Sequence, residues 1–236
     1  TIPSGTTTIP AEFCHGCTSL LAIVIPDTVT TVAREAFKAC TGVVGTLTIP
    51  DSVTSVGASA FEGCTGITEV IMGSAVATMA SSSFAACPAI TTLDLQSQAI
   101  VGATYTTTSP LLDTYFAASK GTISTVKIGG GVTSVGTRAF YSAPALTTVT
   151  LESGVTTVGD RSFMLCESLT DITMASSVTT FVASPFQACS SLEQLTIPSG
   201  TTTIPAEFCH GCTLLLAIVI PDTVTTVAKE AFKACT

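Results

Sequence analysis

Two short segments of this sequence carry residues that could bind a metal ion or form a thiol cross-link. Residues 14–17 and residues 209–212 both read Cys-His-Gly-Cys, and they hold the two histidines of the chain. Thiolate and imidazole are good zinc ligands, but a tetrahedral zinc site needs four ligands, and no second cluster lies near in sequence. We therefore expect no metal and no cofactor here. A cross-link through Cys14 or Cys209 stays open as an alternative.

These segments belong to a repeat that runs through the whole chain. Its template, LxIPxxVxxVxxxAFxxC, is clearest in residues 47–64, and its strand-like triplets start 23 or 24 residues apart, with one interval of 33. Apolar residues at both ends of a triplet predict a strand with one buried face. The phenylalanine of each copy lies in a segment of about two helical turns, which we expect to be held by packing the ring inward. The sequence predicts stacked units around one continuous core.

The repeat also has a longer period. Residues 1–41 recur at 196–236 with two changes, from Ser19 to Leu214 and from Arg34 to Lys229. This offset of 195 residues spans eight copies, or roughly 40 Å at the spacing of parallel strands. We expect residues 1–236 to form a single solenoid of about ten repeats of ~23 residues. The chain begins and ends inside a repeat, which favours a window cut from a longer array or units that stack end to end.

Most of the cysteines hold one position of the repeat, three residues after the phenylalanine. Alanine and serine occupy the same position at Ala143 and Ser119, which favours a small buried group, and free cysteine packs as a small hydrophobe. Disulfides between neighbouring copies are the alternative, although parallel Cβ vectors suit a bridge poorly. We expect a ladder of buried thiols formed by Cys17, Cys40, Cys64, Cys87, Cys166, Cys189, Cys212 and Cys235.

The template resembles the BspA-like class of leucine-rich repeats, which is found mainly on bacterial surfaces and among protist surface proteins. The resemblance covers essentially the whole chain. It implies a right-handed superhelix with a parallel β-sheet on one face and short helical, 3-10 or irregular segments on the other. It also implies a location outside the cell or at its surface. Leucine-rich repeats serve many unrelated roles, so the resemblance specifies the fold rather than the function.

One copy is longer than the others by about ten residues, and the excess falls around residues 99–113. We place an inserted loop at 97–115. Insertions in solenoids form loops on one face and often bind partners, and a cluster of threonine, serine and proline is typical of O-glycosylation. A tolerated loop without a partner is the alternative. The candidate residues for sugar attachment or binding are Thr104, Tyr105, Thr106, Thr107, Thr108 and Ser109.

Composition excludes several classes of function. Charged residues make up 10% of the chain, and its eight lysines and arginines form no basic cluster, which argues against nucleic acid as a partner. The longest apolar run, residues 214–220, is too short to span a bilayer. The sequence has no nucleophile, base and orienting group in a recognisable set, so we expect no enzyme. A surface this poor in charge favours a carbohydrate coat or lateral packing in an assembly.

Two functional hypotheses follow. The first is a non-catalytic extracellular structural protein, which forms a fibre or a cell-surface coat by stacking with copies of itself. The second is an adhesin or ligand-binding module, in which the concave sheet or the 99–113 loop binds a glycan or a protein of a host or cell surface. The near identity of residues 1–41 and 196–236 favours the first, because most surface positions would otherwise be free to diverge, with recent duplication as the alternative cause.

Overall fold

Each copy of the repeat forms one turn of a parallel β-solenoid. The structure is a computed structural model that describes residues 2–235, and it has about ten turns. A turn has three sides, namely a longer strand, a two-residue strand and a segment of hydrogen-bonded turns. The strands are β1 Thr8–Ile9, β2 Thr31–Val32, β3 Val44–Ile49, β4 Ser55–Val56, β5 Gly66–Met72, β6 Thr78–Met79, β7 Thr92–Leu95, β8 Thr125–Ile128, β9 Ser134–Val135, β10 Thr148–Leu151, β11 Thr157–Val158, β12 Asp171–Met174, β13 Thr180–Phe181, β14 Gln194–Thr196, β15 Thr203–Ile204, β16 Ala217–Val219 and β17 Thr226–Val227.

The longer strands form the main sheet, as the triplets predicted. Strands β3, β5, β7, β8, β10 and β12 make one six-stranded parallel sheet, and β14 pairs with β16. Equivalent residues of adjacent copies face each other, for example Val149 and Ile172. Burial alternates along most of these strands, with Leu93 and Leu95 inside and Thr92 and Asp94 towards solvent. The period of two in the sequence therefore places one face of the sheet in the core.

The two-residue strands form a further row that the sequence analysis did not predict as strands. They pair in parallel as β1-β2-β4-β6, β9-β11-β13 and β15-β17. All of them except β17 have one buried residue, which is the second valine position of the VxxV part of the template, such as Val56 or Val158. Pairs this short gave no alternation to recognise, so the sequence predicted their burial without their hydrogen bonding.

In each regular repeat within residues 2–235 the third side is a series of short hydrogen-bonded turns without a helix. The prediction of an irregular segment is therefore confirmed, and the prediction of a short helix is wrong. Two residues in most turns have positive φ, for example Glu35 at 57° and Ala39 at 57°, which a right-handed helix cannot accommodate. The backbone N–H groups of these turns bond to the next turn instead, as in Phe37 N to Ala60 O at 2.8 Å and Ala39 N to Glu62 O at 2.7 Å. These bonds offset the cost of the left-handed residues.

Phenylalanine rings line the inside of this third side, as expected. Successive rings are stacked nearly parallel. The ring centroids of Phe37 and Phe61 are 5.7 Å apart, and those of Phe140 and Phe163 are 5.3 Å apart. The stacked pairs run from Phe37 to Phe116 and from Phe140 to Phe186. These stacked rings and the two rows of strands thus enclose a single core along the solenoid.

Candidate functional site

The long copy departs from the regular turn where its two-residue strand would lie. A four-residue helix, α1 Gln98–Val101, occupies this place, and a second helix, α2 Leu111–Tyr115, and a 3-10 helix, Ala117–Ser119, follow. Both helices turn apolar residues into the core, including Ile100, Val101 and Leu111. Ser97 caps α1 by accepting a hydrogen bond from Ile100 N. The main sheet runs on unbroken past this point, because β7 pairs directly with β8.

The side chain of Gln98 replaces the missing strand. In a regular turn the carbonyl oxygen of Thr30 accepts the N–H groups of Thr54 and Ser55, at 2.8 and 3.3 Å. In the long copy Gln98 Oε1 accepts the equivalent N–H groups of Thr133 and Ser134, at 2.7 and 3.0 Å. Its Nε2 also donates to Ser134 O at 3.2 Å. The side-chain amide oxygen thus replaces a backbone carbonyl oxygen as acceptor. Because α1 stands where a short strand would lie, the row of short strands is interrupted between β6 and β9.

The candidate loop residues 104–109 separate into an anchor and an exposed group. Tyr105 is buried, and its hydroxyl donates a hydrogen bond to Ile100 O. Burial raises the pKa of the Tyr105 phenol, so it stays a neutral donor. Tyr105 therefore holds the loop down and does not belong to the surface that a partner would meet.

The other five candidates are exposed, namely Thr104, Thr106, Thr107, Thr108 and Ser109. Thr106 Oγ1 lies 3.2 Å from Thr108 Oγ1 and accepts the N–H of Ser109 at 3.1 Å, so the loop has its own hydrogen bonds. Hydroxyl groups in this arrangement offer acceptors and donors to a ligand and attachment points to sugars.

The outer face of the main sheet carries a row of paired charges across three copies. Lys127 Nζ lies 3.1 Å from Asp94 Oδ2 and 3.0 Å from Glu152 Oε1. These hydrogen bonds and charges raise the pKa of Lys127, with Glu152 as the largest cause. A shallow depression of about 400 Å³ opens nearby, between residues that include Asp51 and Gln96. Lys127 neutralises one of its two carboxylate neighbours, and Asp27 and Asp51 line the depression, so this region is acidic.

Seven of the eight predicted ladder thiols donate a hydrogen bond to a carbonyl oxygen of the preceding turn. Cys64 Sγ donates to Phe37 O at 3.2 Å, and Cys87 Sγ donates to Phe61 O at 3.1 Å, so a thiol bonds to the phenylalanine of the preceding turn. Desolvation raises the pKa of Cys64 to about 12, so the thiol is neutral. All ten cysteines are free, in contrast to the disulfide alternative. Six of the eight predicted ladder residues are buried, while Cys17 and Cys235, in the first and last described turns, are half-buried.

The turns that contain Cys14 and Cys209 have the backbone course of a regular turn. In them Phe-Cys stands where a regular repeat has Ala-Phe. Cys14 takes the place of a stacked phenylalanine, since Cys40 Sγ donates to Cys14 O as other ladder thiols do to phenylalanine carbonyls. Phe208 is buried beside Phe186, edge to face at 5.4 Å. Cys209 is fully buried, and the cross-link through Cys14 or Cys209 stays a prediction. Cys14 is half-buried.

Comparison with known proteins supports the repeat class. A profile of the BspA type Leucine rich repeat region matches residues 1–107 and 111–236 in six copies. The chain belongs to this family. No curated protein sequence matches it.

Solved structures of leucine-rich repeat proteins are similar to it at low identity. A leucine-rich repeat protein of Bacteroides ovatus is 21% identical, with a TM-score of 0.43 over 99% of this chain and 75% of that one. A leucine rich cell surface protein of Faecalibacterium prausnitzii is 26% identical, with a TM-score of 0.47 over 99% and 68%. The T. pallidum leucine-rich repeat protein is 23% identical, with a TM-score of 0.48 over 73% and 78%. Within residues 2–235, none of the helices has the length and apolar character needed to cross a membrane.

Proposed function

We propose that this repeat protein is a non-catalytic structural component of the cell surface or the extracellular space, and that it assembles with copies of itself into a fibre or coat. The BspA-type family supports a surface location. The observation that carries the proposal is a pair of aliphatic residues that points away from the core at two places 195 residues apart.

One aliphatic pair lies in the turn before β3, in a segment that forms no strand, and the other lies at β16, which pairs with β14. Leu21 and Val24 are 71% and 77% exposed, and their counterparts Leu216 and Val219 are 81% and 58% exposed. Val24 and Val219 point outward by the alternation along an extended segment, since their neighbours Ile23 and Ile218 turn towards the core. Leu21 and Leu216 lie just before these extended segments and are exposed as well.

Most turns between the two pairs are polar at the same positions. Where Val24 and Val219 stand, other copies have Thr48, Asp94, Lys127, Thr150, Thr173 and Thr196, and one copy has Ile71. An aliphatic pair therefore returns once per super-repeat, or about every 40 Å along the stack. Apolar groups on a soluble surface mark contacts with another molecule when they form a pattern. A second copy of the chain fits best, because it would present the same pattern with the same period.

Matched lysine substitutions test this lateral contact. The pair Leu216→Lys and Val219→Lys places charge in the aliphatic patch, whereas Thr170→Lys and Thr173→Lys place the same charges at the equivalent positions of a polar turn. Light scattering and electron microscopy over a range of concentrations should show assembly of the wild type and of the threonine variant, and loss of assembly in the aliphatic variant. Wild-type protein that stays monomeric at high concentration would contradict the proposal.

A second candidate function is adhesion to a glycan or a surface protein through the loop at 104–109. The exposed hydroxyl groups of this loop, held on the anchor of Tyr105, support it. Replacement of residues 106–109 by Gly-Ser-Gly-Ser should abolish attachment to cells or glycan arrays if the loop binds. Unchanged attachment would remove this loop as the binding site.

A further inference from the structure

Three side chains from two neighbouring turns converge near the C-terminal end of the described chain. A ring nitrogen of His210 and one carboxylate oxygen each of Glu207 and Glu230 lie within 4.8 Å of one another, and all three residues are half-buried. Glu207 and His210 belong to one turn and Glu230 to the next. We propose that this cluster binds one divalent transition-metal ion, with zinc as the best match, and that the ion ties the two turns together.

An unpaired nitrogen gives a second reason to place a ligand here. His210 Nδ1 is shielded from solvent and has no hydrogen-bond partner among residues 2–235. A buried polar atom without a protein partner is uncommon in folded proteins and marks a place for a bound ion or water. Because neutral imidazole is the commonest metal ligand, a cation beside two carboxylates would satisfy this nitrogen.

The first glutamate is held in place by the preceding turn. Ser184 Oγ donates to Glu207 Oε2 at 3.1 Å. Hydrogen bonds of this kind orient a metal ligand and reduce the freedom that binding must remove. Three protein ligands come from two turns and one supporting hydroxyl from a third, so metal binding would link consecutive copies.

The near-identical turn at residues 12–35 shows what a closed version of the cluster looks like. There Arg34 donates from Nε and from a terminal nitrogen to Glu35 Oε1, at 3.1 and 2.8 Å. His15 Nδ1 lies 4.0 Å from Glu35 Oε2. In the part of the chain that the structure describes, only the second copy brings three such ligand atoms together. The planar fork of Arg34 therefore occupies the carboxylate that a metal would need.

One of the two differences between the copies falls at this arginine. Lys229 replaces Arg34, and its Nζ lies 3.6 Å from Glu230 Oε1, while Lys233 Nζ lies 3.3 Å from Glu230 Oε2. Both lysines are more than half exposed, with Lys229 at 88%. A flexible ammonium group in water releases a carboxylate more readily than a two-bond guanidinium does. The substitution thus opens the second cluster to a cation.

The donor set selects among metal ions. Two carboxylates and one imidazole suit zinc and similar first-row divalent ions better than calcium, which takes oxygen ligands. Tetrahedral zinc holds its donor atoms about 3.4 Å apart at bond lengths of 2.0–2.1 Å. Small rotations of the three side chains would bring them from within 4.8 Å to this spacing, and water would complete the shell.

Titration with zinc chloride, followed by calorimetry, tests the site on the whole chain. We expect one zinc ion per chain, at least a tenfold loss of affinity in His210→Gln and in Glu230→Gln, and wild-type affinity in the matched variant His15→Gln. Lys229→Arg should weaken binding as well, because it restores the arginine of the first copy. Circular dichroism of each variant checks that it is folded.

Two further measurements separate this site from the thiols. Zinc should slow hydrogen exchange at residues 207–210 and 230, where the turns are joined, and cobalt substituted for zinc should show no thiolate charge-transfer band. The proposal is overturned if the wild type binds no zinc, if His15→Gln weakens binding as much as His210→Gln, or if the cobalt spectrum shows thiolate ligands.

Discussion

Regular turns and the long turn at 97–119 continue the same core by different means. A regular turn supplies two further core residues from a short strand and the segment just before it, as with Val56 in β4 and Val53 before it. The long turn supplies Ile100 and Val101 from a helix instead. Both kinds of turn place a phenylalanine in the ring stack, since Phe116 lies 5.1 Å from Phe84.

This difference separates what the solenoid requires from what it tolerates. The inward residues and an acceptor for the next turn's N–H groups are required, and when the strand is lost Gln98 provides the acceptor. The path of the backbone between these points is free to lengthen. The loop at 104–109 is therefore the place where the chain can change without loss of the core.

Removal of a stacked ring should have the largest effect. We expect Phe61→Ala and Phe116→Ala each to lower the free energy of unfolding by about 3–5 kcal/mol, because both rings are fully buried. Phe13→Ala, at a ring that is 41% exposed in the first turn, is the control and should cost about half as much or less. Urea denaturation measures the three values, and an equal cost at Phe13 would mean that stacking does not set the stability.

Loss of the Gln98 amide should have the next largest effect. Gln98→Ala leaves the N–H groups of Thr133 and Ser134 to water, so we expect a loss of about 1–2 kcal/mol. Gln96→Ala is the control, because the Gln96 amide makes one long hydrogen bond to Asp94, at 3.3 Å. We expect it to change the free energy of unfolding by no more than about 0.5 kcal/mol. Equal losses would show that Gln98 does not replace a peptide group.

The thiol ladder offers a smaller test, because the long turn has Ser119 where regular turns have cysteine. We expect Ser119→Cys to change stability by less than about 1 kcal/mol, since the position is buried and holds a thiol in other turns. The new thiol should resist iodoacetamide at pH 8 as Cys64 does, because burial raises the Cys64 pKa to about 12 and the reactive thiolate forms only near that pH. Mass spectrometry measures the extent of labelling at each cysteine, and the half-buried Cys17 is the comparison.

Change in the exposed loop should have the smallest effect. Thr107→Ala should alter the free energy of unfolding by less than about 0.5 kcal/mol, because this side chain is exposed. Tyr105→Phe, which removes the bond to Ile100 O, should cost about 1 kcal/mol and serves as the contrast. A larger loss from Thr107→Ala than from Tyr105→Phe would mean that the loop supports the core.

Much of this fold could be predicted from the sequence because one template recurs. Leu47, Phe61 and Cys64 each repeat at a constant offset, and a constant offset in a stack means a constant environment. The family, the continuous core and most of the ladder followed from that. The short strands did not, because two residues such as Ser55 and Val56 have no alternation to reveal a pairing.

Features that depend on one side chain or on distant turns lay outside the pattern. The template cannot show that Gln98 would act as a peptide group, since its partners lie 35 and 36 residues away. The sequence did not indicate the cluster of Glu207, His210 and Glu230, because Glu230 lies 20 residues from His210 and joins it only through the stacking of two turns. Burial of Tyr105 was missed for the same reason, because its partner is the end of a helix that only this copy has.

Cryo-electron microscopy of the native material would test the central claim most directly. The account predicts continuous fibres with an axial repeat near 40 Å, the length of eight stacked strands. Lateral contacts should lie at Leu21, Val24, Leu216 and Val219. Separate particles, or fibres whose contacts avoid these residues, would contradict it.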